Sequence, residues 1–169
     1  DGDADVGFVA FPAPRKGLKV ETFKKDTLHI IAAPGHPLAK KGSVALADLS
    51  QFKIVSLAPE MPTRQGLDKI LATRGLKIQP KMEFDNVETL KSAVEIDAGV
   101  AFLPKSVVAK ELSNGTLVTV PHGGAEIVRP LGVVSRASRV VSPAVKRFLK
   151  ALKGPKTRGS GDASDDSHE

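Results

Sequence analysis

The 169-residue chain contains no Cys, no Trp and no Tyr. Without cysteine, a disulfide scaffold, a thiolate zinc site, a cysteine nucleophile and an iron–sulfur cluster are excluded together, and the composition suits a reducing compartment. Aromatics make up 4% of the residues, all of them Phe, so the stacking platforms of single-strand nucleic-acid binders lack their building blocks. The uninterrupted apolar runs are short, against the roughly 20 residues that cross a bilayer. The opening Asp1-Gly2-Asp3 carries no charged-then-apolar export pattern, so a soluble, cytoplasmic chain without membrane contact is expected. His29, His36, His122 and His168 are isolated, with no metal-ligand spacing, and no G-x-S-x-G elbow, P-loop or dinucleotide-binding glycine pattern occurs. No metal, no cofactor and no enzymatic activity are therefore expected.

What is present is an ordinary globular composition: 41% hydrophobic residues can fill a core in a chain of this length. The formal net charge is +6, which invites an anionic partner. Its distribution argues against a nucleic-acid arm, because Lys24, Lys25, Lys40, Lys41, Lys146, Arg147 and Lys150 are scattered as solvated helix faces would have them. Residues 153–169 have almost no apolar side chains and read as a disordered tail. Residues 5–11 read as a buried strand at the very start, as if the chain were cut inside a larger fold.

Strand-like and helix-like segments alternate. Residues 28–33, 52–57, 81–84, 100–103, 116–120 and 127–135 read as strands. Helices are expected between them: one opened near Pro62-Thr63 and closed by Gly75, one capped by Asn86, and a short one over 106–112 stopped by Asn114-Gly115. Ser142-Pro143 opens a last helix, with Val145, Phe148, Leu149 and Leu152 on one stripe and Gly154-Pro155 as its stop. Such alternation predicts an α/β fold with a largely parallel sheet covered on both faces, binding ligands beyond the carboxyl ends of its strands. Segments 56–64, 85–87 and 104–106 should meet there, each leading into a helix start whose free amides favour an anion.

The order of the segments resembles the effector-binding domain of LysR-type transcriptional regulators. Asp5-Val6-Gly7-Phe8 is similar to the family's opening strand, and Ala33-Pro34-Gly35-His36-Pro37-Leu38 to its His-Pro-Leu turn, followed by Val44-Ala45-Leu46-Ala47-Asp48-Leu49. Thr63-Arg64 with Leu67-Asp68 resembles a helix opening of the family, residues 94–104 its strand before a proline, residues 111–118 its e-L-x-x-G-x-L-v stretch, and residues 131–148 its closing strand and helix. The resemblance covers residues 5–152. It implies a periplasmic-binding-protein-like type II fold: two lobes, mixed mostly parallel sheets and a cleft between them. On that frame residues 1–22 are a remnant of the first lobe and 23–126 the second lobe. Residues 127–152 are the first lobe's return strand and C-terminal helix, with crossovers over 20–27 and 125–130. Where the family has the first Gly of a Gly-x-Gly turn this chain has Asp97, read as a structural substitution at a tight turn.

The candidate effector-binding residues are Ala10, Ser56, Thr63, Arg64, Asn86, Val87, Pro104 and Lys105. Thr63 and Arg64 can hold a carboxylate at a helix start, or be an ordinary helix opening with a solvated Arg. Asn86 can touch a ligand or serve only as a cap. Ser56 can bond across the gap or satisfy the backbone; Pro104 and Lys105 end a strand at what the resemblance makes the cleft wall, and Ala10 enters from the opening strand. Asp85, Glu88 and Glu95 are carboxylates near cleft helices without a catalytic partner. The implied function is sensing of a small anionic metabolite for transcriptional control, with homo-oligomerisation in the full-length protein and DNA contact only through an N-terminal domain not in this chain. Two alternatives stand beside it: a periplasmic-type solute-binding protein, and a truncated regulator with no specific ligand.

Overall fold

The computed structural model describes residues 4–138 and 142–152; the expected tail over 153–169 and the Gly154-Pro155 stop lie outside the described residues. In chain order the elements are β1 (Val6–Ala10), β2 (Leu18–Ala32), β3 (Val55–Leu57), α1 (Pro62–Thr73), β4 (Met82–Phe84), α2 (Val87–Glu95), β5 (Ala101–Pro104), α3 (Ala109–Asn114), β6 (Val118–Val120), β7 (Ile127–Arg136) and α4 (Pro143–Leu152). Two short 3-10 turns, Pro37–Lys40 and Leu46–Gln51, fill the connection between β2 and β3.

β2 organises everything else. Its first part pairs antiparallel with β7 from Leu18↔Arg136 to Leu28↔Ile127, with an irregularity between Thr22 and Lys24, and β1 pairs antiparallel with the far edge of β7. Its last residues, Leu28, Ile30, Ile31 and Ala32, are fully buried and pair antiparallel with β5 and β6. The expected crossover over 20–27 is thus the paired middle of the continuous strand β2, that over 125–130 is the end of a loop and the first four residues of β7, and the expected lobe boundary at 22/23 falls at the irregularity in β2. On the other side of β5, the bonds Val55 N–H to Val100 O (2.9 Å) and Val100 N–H to Lys53 O (3.0 Å) make a parallel bridge toward β3, which pairs in parallel with β4.

The mostly parallel sheet expected from the alternation is therefore a correction. Only the β4–β3–β5 side is parallel, because only there does each strand return through a crossover helix. β2 meets β5, β6 and β7 running against it, and β1 runs against β7, so the other strand pairs are antiparallel.

The β4–β3–β5–β2–β6 region is layered. α1 lays Leu67 and Leu71 on the face holding Leu28, Ile30, Phe102 and Ile127, while α2 lays Leu90 and Val94 on the face holding Ile31, Val55, Ala101 and Leu103. Ile30 and Ile31 fall in different clusters because successive strand residues point to opposite faces. Each such fully buried Leu or Ile stabilises the fold by roughly 1.5–3 kcal/mol.

α2 ends in a left-handed residue: Asp97 has φ 60°, with Asp97 N–H donating to Val94 O and Ala98 N–H to Ala93 O, both at 3.0 Å. This is the helix-ending geometry in which the residue after the cap is usually Gly, and α1 ends the same way on Gly75 at φ 70°. Asp97 is thus a structural residue in a conformation that costs an L side chain about 1 kcal/mol. Asp97→Gly is expected to raise unfolding stability by up to about 1 kcal/mol, read by urea denaturation; a loss of stability would show that the Asp side chain, not the backbone, is what the turn needs.

Candidate functional site

The carboxyl ends of β3, β4 and β5 lie at one end of their sheet, as their parallel pairing requires. The three strands lead into different connections. α1 opens without a side-chain cap, with Pro62 in its first turn, and the amides of Thr63 and Arg64 make no hydrogen bond to the described residues. α2 is closed by Asn86, whose Oδ1 accepts from Glu88 N–H (2.7 Å) and Thr89 N–H (3.2 Å). After β5 comes a turn, with Val107 N–H on Pro104 O, and the short helix begins only at Ala109, three residues later than expected. Ser106 does not cap it, because its hydroxyl donates instead to Asp26 Oδ2 at 3.2 Å. Of the three expected open helix starts, α2 is closed by its cap, while α1 and the late-starting α3 both open without a side-chain cap.

Beside that opening the two long strands run past each other as an antiparallel pair, the strand crossing. Asp26 on β2 faces Arg129 on β7, and Asp26 Oδ2 accepts from Arg129 Nη2 at 3.0 Å as well as from Ser106. Arg129 is largely buried and its Nε is fully buried without a partner among the described residues. The next residue, Pro130, accepts from Phe11 N–H at 2.8 Å, and the Phe11 ring fills the space that a Cβ on Gly66 of α1 would need. This run of contacts, Ser106–Asp26–Arg129–Pro130–Phe11–Gly66, ties the turn after β5, the strand crossing, the end of β1 and the first turns of α1 together. Lys105 adds positive charge there: His29 is held below its ordinary value of 6.5 by burial first and by the Lys105 ammonium second.

Of the eight sequence-expected residues, this run gathers Ala10 at the end of β1, Thr63 in the first turn of α1, and Pro104 and Lys105 beside Ser106. Ser56 is buried in β3 on the α1 side of the sheet, its hydroxyl making no hydrogen bond to the described residues. Asn86 is spent as a cap, and Val87 packs into the α2-side core, on the opposite face from α1.

Arg64 is neither a solvated residue nor a free guanidinium. It is buried, with Nε on Asp68 (2.8 Å) and Nη1 shared by Leu57 O (3.0 Å) and Glu83 (2.8 Å). Sequence does not single out Asp26, Ser106 or Arg129, because strand register alone brings positions 26 and 129 together. Larger hollows, of about 480, 420 and 350 Å³, are lined by none of the eight; Ala10 lines a small one of about 170 Å³ with Phe8, Phe23 and Leu131. Among the described residues no helix is long and apolar enough to cross a membrane, and no group of His, Asp and Glu has the arrangement of a metal site.

The sequence model of the family described as LysR substrate binding domain matches residues 1–154. Among curated proteins, the "Probable RuBisCO transcriptional regulator" of Synechocystis is 30% identical over 160 residues, covering 90% of this chain and 46% of that protein. The protein of the same name from Cyanophora paradoxa is 29% identical, covering 90% of this chain and 49% of its own length. The chain thus spans about half the length of the curated relatives it matches. Among solved structures, the Synechocystis CcmR regulatory domain in complex with 2-PG superposes with a TM-score of 0.78 at 21% identity, covering 89% of this chain and 73% of that one. The effector-binding domain of QuiR in complex with shikimate gives 0.75 at 19% identity, covering 88% of this chain and 69% of that one. At these identities the likeness is one of fold, the two-lobed periplasmic-binding-protein type II arrangement.

Proposed function

Because the chain belongs to the LysR substrate-binding domain family, we propose that it senses a small anionic metabolite for a transcription regulator, binding it where α1 opens against the strand crossing. The observation that carries this is Arg129, a largely buried guanidinium with an unpartnered Nε. A buried donor without an acceptor costs free energy that a ligand oxygen would recover. The uncapped amides of Thr63 and Arg64 supply the second half of an anion cradle, since free N–H groups and the positive end of the helix favour a carboxylate or phosphate. Ser106 and Lys105 add a hydroxyl and a charge, Ser56 a second hydroxyl from the buried strand, and Ala10 a small apolar wall. Asn86 and Val87 stay outside this cradle.

Ligand contact on both sides of the strand crossing would favour one disposition of the two lobes, and a binding site spends its differential affinity on such a shift. In the longer protein that shift would pass to other subunits of a homo-oligomer and to a DNA-binding segment beyond this chain. No catalytic role is assigned to any residue.

The test is a thermal-denaturation screen of small phosphates and carboxylates, including 2-PG and shikimate, the molecules held by the two structural neighbours. A ligand at a hundred times its Kd stabilises by about 2.7 kcal/mol, which for a chain of this size is a midpoint rise of roughly 5–10 °C. Arg129→Lys, which keeps the charge but removes the Nε donor, should weaken a hit at least about tenfold. Failure of every compound in the screen, or equal binding by the Lys variant, would overturn the assignment.

A further inference from the structure

A hollow of about 420 Å³ lies at the opposite end of the layered sheet from the strand crossing. Its lining includes Ile54 just before β3 and Lys81 just before β4, that is, the amino ends of the strands whose carboxyl ends approach the first site. Leu46, Leu49, Phe52 and Phe102 also line it, and Leu71 comes from the last turn of α1. The Leu, Ile and Phe side chains form its floor, polar and apolar surface line it in about equal measure, and its size is that of a small-molecule site.

Its polar rim has one sign. Lys77 and Lys81 both line the hollow, both are exposed, and neither makes an ion pair or side-chain hydrogen bond with the described residues. No Asp or Glu is among the lining residues. The backbone adds donors without acceptors: the amides of Lys77, Ile78 and Gln79 make no hydrogen bond to the described residues, whereas Leu76 N–H and Lys81 N–H on either side are taken by Leu71 O and Ile54 O, at 2.9 and 2.8 Å. Of the last carbonyls of α1, which repel an anion, those of Leu71 and Ala72 are already taken by the amides of Arg74, Gly75 and Leu76, and that of Ile70 by the Thr73 hydroxyl. An apolar floor under two uncommitted ammonium groups and three free amides matches a molecule with an apolar body and one anionic end.

We infer that this hollow is a second ligand site, for a small carboxylate carrying an aromatic or branched aliphatic body, separate from the anion cradle at the strand crossing. The two sites sit at opposite ends of α1, whose 12 residues span about 18 Å. A polar phosphate would choose the first site and an amphiphilic acid the second, because only the second has an apolar floor to bury the body against.

The experiment is an amide-resolved NMR titration of the full chain with 3-phenylpropionate, beside 3-phenylpropanol, which keeps the body and loses the charge, and acetate, which keeps the charge and loses the body. The expected result is saturable shifts at Lys77, Ile78 and Gln79, with both control compounds at least about tenfold weaker. The double variant Lys77→Gln with Lys81→Gln should weaken 3-phenylpropionate about tenfold, and Ala47→Trp, made at an exposed lining position, should block it while leaving the spectrum folded. Equal binding of 3-phenylpropanol would mean an uncharged greasy hollow, and shifts confined to Thr63 and Arg64 would mean the first site only; either overturns the inference. So would 3-phenylpropionate binding that both variants leave unchanged. Since the probe and the variants do not involve Arg129, failure here leaves the first site untouched, and the reverse holds.

Discussion

Arg64→Ala is expected to lower the unfolding free energy by about 2–3 kcal/mol, more than any surface substitution in the chain. The guanidinium joins three separate parts of the layered region: its own helix through Asp68, the end of β3 through the Leu57 carbonyl, and the edge strand β4 through Glu83. Removing it strands a carbonyl at a buried residue, at the full desolvation cost of an unpaired acceptor. The two carboxylates are about two-fifths exposed, so water takes back part of their loss, and this keeps the estimate below the 3–5 kcal/mol typical of a fully buried broken pair. Arg64→Lys should recover less than half of the difference, because a single ammonium cannot bond along two edges at once. Urea denaturation of the two variants beside the parent decides it. A change under about 0.5 kcal/mol for the Ala variant would mean that the guanidinium is solvated and idle, and would reopen it as an anion ligand.

This residue also marks where sequence reading stops. Thr63-Arg64 at a helix opening is legible from Pro62 and the apolar spacing behind it, and so are the Asn86 cap and the tight turn at Asp97. Each is decided by neighbours within a few positions. Arg64's partner Glu83 is 19 residues away, on a strand whose pairing with β3 no local pattern announces. The same holds more strongly at the strand crossing, where Asp26 and Arg129 are 103 residues apart. There the sequence around Asp26 reads Lys-Lys-Asp-Thr, polar on both sides, which looks like a connection and is in fact the middle of a 15-residue strand. Polar residues are tolerated in that strand because its first part is only half covered, while the fully buried run from Leu28 is legible from its hydrophobicity alone. The carboxyl ends of the parallel strands are thus readable as one edge of the sheet, whereas the buried cation at the crossing is not, and neither are the three partners that hold the Arg64 side chain.

Lys91 carries the other large effect, and its pH dependence makes it diagnostic. It is a buried lysine on α2 whose Nζ lies 2.8 Å from Glu111 Oε1 and 2.9 Å from Glu88 Oε2. The hydrogen bond to Glu111, and next that to Glu88, hold the lysine above its ordinary 10.5; the bond from Lys91 holds Glu111 below its ordinary 4.5. A lysine raised in the folded state stabilises fully below 10.5 and loses that contribution as pH climbs through the folded value. A carboxyl lowered in the folded state stabilises above 4.5 and loses that contribution as pH falls through the folded value. The pair therefore supports the fold across the neutral range and weakens at both ends. Glu88 is mostly exposed and adds little, whereas Glu111 is mostly covered and its Oε2 already has no partner among the described residues. Lys91→Met leaves that carboxylate charged and unaccompanied, and at pH 7 the thermal midpoint should fall by roughly 5–10 °C. Acidification then neutralises Glu111 more readily in the variant than in the parent, so the gap between the two midpoints should narrow steadily below pH 5. A gap that stays constant from pH 7 to pH 4 would mean that Lys91 acts through its methylene packing alone, and equal midpoints at pH 7 would mean that the pair contributes nothing to holding α2 against α3.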